Sequence, residues 1–252
     1  MKTHSRGRRG VTLMEVLIAV SLLSLLSAGM LTAMRVGLDA MNKSNARLLA
    51  NRRVAAVERI LQQQVAGFMP VQAMCGSNSA QMPRMRMPFF QGEPQAMRFV
   101  STYSLEEAWR GTPRILEYLV IPGENGVGVR LVVNEVPYTG PLGAGQLCIG
   151  RVPDPATGGS LPLFRPVVAG PHSFVLADKL ATCRFVYLEA PPLGTPPPAL
   201  DRWRANWVAP AWPVAVRIEV EPLDTDPARL HVVTVTAPVH VRRSPEIEYG
   251  DF

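Results

Sequence analysis

The chain has 252 residues, with 26 Lys+Arg against 20 Asp+Glu and a formal net charge of +6, which at face value points to an acidic partner. Apolar residues make up 47% and charged residues only 18%, which excludes general disorder. The 24 Pro and 20 Gly exclude a helical bundle throughout, because Pro removes a backbone donor and clashes inside a helix.

Neither the prolines nor the charge is spread evenly. Every Pro lies at Pro70 or beyond, and residues 1–69 hold none. Lys2, Arg6, Arg8 and Arg9 give the first ten residues +4 with no acid to offset them. Residues 11–68 carry six basic and three acidic residues, and residues 69–252 carry 16 and 17, a net of −1. The positive charge therefore belongs to the N-terminal quarter. A nearly neutral C-terminal part argues against nucleic acid as a partner, since counterion release needs a basic patch.

From Val16 to Met34 runs VLIAVSLLSLLSAGMLTAM, nineteen residues without a charge. At about 1.5 Å per residue it spans a hydrocarbon core of about 30 Å and reads as a membrane helix. A secretory signal peptide competes, with Ala33 or Ala40 at a small-residue cleavage site, but the run is long for that role. The helical pattern continues past it: Val54, Val57, Leu61, Val65 and Phe68 recur at helical spacing. Residues 11–68 thus predict one helix of about 85 Å, transmembrane over about 16–34 and amphipathic over about 35–68. Gly29 and Gly37 mark positions where it could bend. The basic leader keeps its side of the span cytoplasmic and sends the remainder across the membrane.

Glu15 does not fit a plain anchor, because a carboxylate near a membrane helix is costly unless paired or placed at the interface. Its setting is RRG-VTLMEVLIA. A short basic leader ending in Gly, followed by an apolar helix with Glu at its fifth position, resembles the prepilin leader of type IV pilins and of the pseudopilins of type II secretion. The resemblance implies a leader over residues 1–10, cleavage between Gly10 and Val11 by prepilin peptidase, and N-methylation of Val11. It also implies that Glu15 pairs with the N-terminal amine of a neighbouring subunit, where opposite charge compensates a desolvated carboxylate. Val11 departs from the Phe that the family most often carries.

Residues 69–252 read as a β-rich domain with long Pro/Gly loops, so the predicted fold class is α+β with an antiparallel sheet. Predicted strands are Ala96–Thr102, Arg114–Ile121, Val127–Glu135, Cys183–Glu189, Val214–Glu221 and Leu230–Thr236. Val216, Ile218 and Val220 alternate with Arg217 and Glu219, as a half-buried strand should. Met74–Gly92, Pro137–Gly159 and Ala190–Pro213 read as long loops. GENGVGV and GPLGAGQLCIG lack the Lys-Ser/Thr of a phosphate loop and read as turns. The stretch from Phe174 to Val220, with Trp203, Trp207, Trp212 and Pro213, is similar to the J-like minor pseudopilins. Glu15 speaks against the K-like subunit, whose fifth position usually lacks that acid.

Chemistry-bearing motifs are absent: there is no HExxH, CxxC or GxSxG. His231 and His240 read as structural. Cys75, Cys148 and Cys183 allow one disulfide in any of three pairings, and their spacing builds no zinc site. Asp224 and Asp226 lie where the resemblance would look for a calcium loop, but the donors are too few. The expectation is a non-enzymatic subunit without metal or cofactor, a J-like minor pseudopilin at the pseudopilus tip. Its implied partners are H-, I-, K- and G-like pseudopilins, prepilin peptidase, the inner membrane and secreted cargo. The rivals are a minor pilin of a type IV pilus or DNA-uptake filament, and a single-pass anchored periplasmic enzyme or ligand-binding protein.

Overall fold

The computed structural model describes residues 11–77, 83–107, 109–153, 158–191, 194, 201–207, 209, 211–223 and 234–239, without the side chains at 47, 50, 51, 53, 54, 109 and 110. The fold is α+β, a long N-terminal helix followed by an antiparallel β domain. Helix α1 runs from Leu13 to Ala66 and continues through Gly29 and Gly37. It ends two residues short of the predicted limit, and the reason is local. Gly67 lies against β5, where a Cβ would meet the Ser101 hydroxyl at 2.7 Å, and its carbonyl accepts the Thr102 N–H at 2.9 Å. Phe68 therefore enters strand β1 (Phe68–Met69) instead of the helix. The chain forms two compact units, residues 1–50 and residues 51–252.

Among the described residues the main sheet has nine strands, all paired antiparallel. Its path is β1, β5 (Ala96–Ser104), β6 (Trp109–Pro122), β7 (Val129–Pro137), β10 (Phe174–Glu189), β12 (Ala215–Pro222) and β13 (Thr234–Pro238). Strand β4 (Gln91–Gly92) pairs with β5, and β11 (Arg202–Arg204) with β10. Two further hairpins stand apart from it, β2 (Gln72–Cys75) with β3 (Met85–Pro88) and β8 (Cys148–Pro153) with β9 (Ser160–Phe164). On β12 Val216, Ile218 and Val220 are buried while Arg217 and Glu219 are half-buried, the alternation expected of that strand.

The loop expectations need correction. Met74–Gly92 contains the end of β2 and all of β3 and β4; Pro137–Gly159 contains a five-residue helix α2 (Pro141–Gly145) and β8; Ala190–Pro213 contains β11. GPLGAGQLCIG thus includes a helix, and GENGVGV holds a single 3-10 turn at Glu124–Gly126, with Asn125, Gly126 and Gly128 at φ 56°, 74° and 66°. Strand β10 begins at Phe174, nine residues before Cys183. Its first part pairs with β7 and its second with β12, across a bulge at which Lys179 takes φ 56°. The predicted strand at Leu230–Thr236 is described only from Thr234. His231, His240, Asp224 and Asp226 lie outside the described residues.

Two apolar cores hold the domain. One face of the sheet, with Phe99, Tyr118, Leu131, Phe185, Tyr187 and Ile218, packs against Leu61, Val65 and Phe68 from the end of α1 and the residues after it. The other face contributes Val100 and Ile115 to a smaller core with Val71, Ala73, Met87, Phe89, Ala144 and Phe164. Cys75 and Cys148 form a disulfide within that second layer, and Cys183 is a buried free thiol in the first.

Candidate functional site

The N-terminal segment is built by its own sequence. Val11 and Thr12 precede α1, and the Thr12 hydroxyl and carbonyl accept the Glu15 N–H at 3.3 and 3.1 Å. This is the first half of a capping box, with Thr at the cap and Glu three residues on. Glu15 lies in the first turn of α1, where the positive end of the helix dipole favours a carboxylate. It is exposed, and its carboxylate has no charged partner among the described residues. Gly10 lies outside the described residues.

Among the described residues one stretch, Leu13–Ala46, which includes Glu15 near its start, is long and apolar enough to cross a membrane. None of its most apolar window is buried within the chain, and Leu17, Leu22, Leu25 and Leu26 are all more than half exposed. Three of its hydroxyls are satisfied internally. Ser21 donates to the Ile18 carbonyl at 2.9 Å, Ser24 to Val20 at 2.7 Å, and Thr32 to Ala28 at 2.9 Å. A helix whose polar atoms are paired with its own backbone can sit in hydrocarbon at little cost.

The N-terminal segment thus combines a cap, a carboxylate with no charged partner among the described residues, and a long apolar helix. Residues 5–31 match the prokaryotic N-terminal methylation motif. The match takes in Gly10, Val11 and Glu15, and supports a prepilin-type protein of the type IV pilin-like class. With the apolar helix it supports membrane anchoring. No curated protein matches the chain.

Two buried polar clusters in the β domain have no counterpart in the sequence reading. In the first, the Tyr118 hydroxyl donates to Gln64 Oε1, and Gln64 Nε2 donates to Glu135 at 3.1 Å. Glu135 also accepts from the Ser104 hydroxyl and the Leu105 N–H, each at 2.7 Å, while Ser101 donates to the Gln64 carbonyl at 2.7 Å. One carboxylate thereby joins the last turns of α1 to the β5–β6 turn. Burial holds the Tyr118 hydroxyl well above the usual tyrosine range, reinforced by Glu135.

In the second cluster Arg98, 1% exposed, donates to Glu117 at 2.8 Å, to Gln91 at 2.6 Å and to the Arg165 carbonyl at 2.9 Å. Burial lowers the guanidinium's pKa, and Glu117 opposes that shift. All three bonds are charge-assisted, so the cluster works as a rivet between the sheet and the chain after β9.

Trp207 packs with Phe90 and Tyr187, donates its backbone N–H to the Gly92 carbonyl at 2.8 Å and its indole N–H to Ala211 at 2.7 Å. Trp212 also packs on the larger core, and Trp203 lies 3.8 Å beneath the Arg217 guanidinium. Trp203, Trp207 and Trp212 are thus packing residues. A groove of about 310 Å³ opens beside Trp207, lined by Phe90, Gln91, Leu161, Leu163 and Asn206. Burial pushes the Cys183 thiol up to about 12, so it stays protonated and unreactive. Among the described residues no group of three His, Cys, Asp or Glu is placed to hold a metal ion.

Proposed function

We propose that this chain is a minor, J-like pseudopilin, a non-enzymatic subunit near the tip of the short filament that drives type II secretion. The observation that carries the reading is Glu15: a carboxylate without a charged partner among the described residues, at the head of an apolar helix and inside a methylation motif. Prepilin peptidase cuts between Gly10 and Val11 on the cytoplasmic face, and the β domain lies in the periplasm. In the filament Glu15 meets the methylated amine of a neighbour's first residue, which sets axial register. Apolar side chains from Val16 to Met34 supply the helix contacts in lipid.

The assignment to secretion rests on the Trp-containing stretch from Phe174 to Val220. The β domain offers its surface to H-, I-, K- and G-like pseudopilins and to secreted cargo, and binds neither nucleic acid nor a cofactor. Crosslinking in native membranes followed by purification of the tagged chain tests this. Capture of the H-, I- and K-like subunits is the expected result; capture of pilus subunits instead would assign the chain to a type IV pilus or DNA-uptake filament.

A further inference from the structure

We propose that the outer layer of the β domain is a separately opening module latched by the Cys75–Cys148 disulfide. The module consists of the β2–β3 hairpin, α2 and the β8–β9 hairpin. Neither hairpin is hydrogen-bonded as a strand to the nine-stranded sheet, and a two-stranded hairpin is marginal in water by itself. The module rests on the sheet through the smaller core, to which the sheet contributes Val100 and Ile115. Just past the module, Arg98 and Asn134 of the sheet donate to the carbonyls of Arg165 and Val168 in the chain after β9.

The disulfide crosses the centre of this layer, joining β2 to the first residue of β8. With the sheet intact, Cys75 is tethered six residues beyond Met69 of β1, and Cys148 eleven beyond Pro137 of β7. The latch therefore closes a short loop on a standing scaffold. Because the groove beside Trp207 takes one wall from Val152 and Leu161 to Phe164, opening the module removes that wall.

Closure is thiol–disulfide exchange. The Cys75 and Cys148 thiols give up two protons and two electrons to the disulfide of an oxidant protein, which leaves as a dithiol. Cys183, with its raised pKa and its place in the other core, stays out of the exchange. The device follows from the β domain alone and is independent of which filament the chain serves.

Amide hydrogen exchange on the full-length chain in detergent tests it, comparing the oxidised protein with the protein under a phosphine reductant and with the Cys75→Ala/Cys148→Ala variant. The amides of β2, β3, β8 and β9 should exchange roughly 100-fold faster without the disulfide, the effect of opening a loop of about 15 to 20 residues. Those of β5, β6, β7, β10 and β12 should keep their protection. Equal acceleration across the main sheet would show one cooperative unit and overturn the proposal, and so would unchanged exchange in both the reduced protein and the variant.

Discussion

Glu135 is the residue on which the helix–sheet junction turns. Its oxygens accept bonds from Gln64, Ser104 and the Leu105 backbone, and an acceptor lost there strands several donors at once. Glu135→Ala should destabilise the protein by about 3 kcal/mol, read from urea unfolding, since bonds to a charged group contribute about 1.5–3 kcal/mol each and are not additive. Arg98 makes a different case. Arg98→Ala leaves Glu117 buried without its partner and should cost about 3–5 kcal/mol, whereas Arg98→Met/Glu117→Leu should recover most of that loss. An equal loss in the double variant would mean that the remaining partners of Arg98 matter more than the ion pair.

Tyr118 and Tyr187 add a pH dependence of definite sign. Burial raises both hydroxyl pKa values above the unfolded value of about 10. The stability this contributes is complete below pH of about 10 and is lost as pH climbs from there through the folded values, by about 1.4 kcal/mol per pH unit for each group. Unfolding free energy should stay flat in this respect between pH 7 and 9, then fall. Tyr118→Phe should reduce the slope above pH 10 while costing about 1–2 kcal/mol at neutral pH through the unpaired Gln64 carbonyl.

Among the elements, α1 was legible from the sequence because apolar periodicity and the absence of Pro act locally. The longer strands were legible for the same reason, as β12 shows with its buried Val216, Ile218 and Val220. What escaped were pieces whose stability is borrowed from elsewhere. Strands β2, β3 and β8 are six residues or shorter, β3 and β8 end in Pro, and all three exist because the second core covers them. The first half of β10 was hidden by the Lys179 bulge, which breaks the alternation of period two. The polar clusters were hidden by distance along the chain: Gln64 meets Tyr118 and Glu135, and Arg98 meets Arg165. In the N-terminal segment the opposite held, because Gly10, Val11 and Glu15 form a motif contiguous in sequence. At this scale Leu61→Ala should cost about 3 kcal/mol, because Leu61 is 1% exposed and belongs to the few turns of α1 that meet the sheet.

For the molecule as a whole, charge is distributed by task. The first ten residues carry +4 and the segment 69–252 a net −1, the distribution that the proposed reading assigns to an orientation signal at the N-terminus. On the proposed reading the apolar helix supplies adhesion within lipid, Glu15 supplies register, and the disulfide-stapled β domain supplies the surface for partners. The central claim is that the chain is a processed prepilin, and mass spectrometry of the mature amino terminus, isolated from membranes of cells containing prepilin peptidase, tests it most directly. The account predicts a first residue of Val11 bearing an N-methyl group. An intact Met1, or a terminus near Ala33 or Ala40, would contradict it.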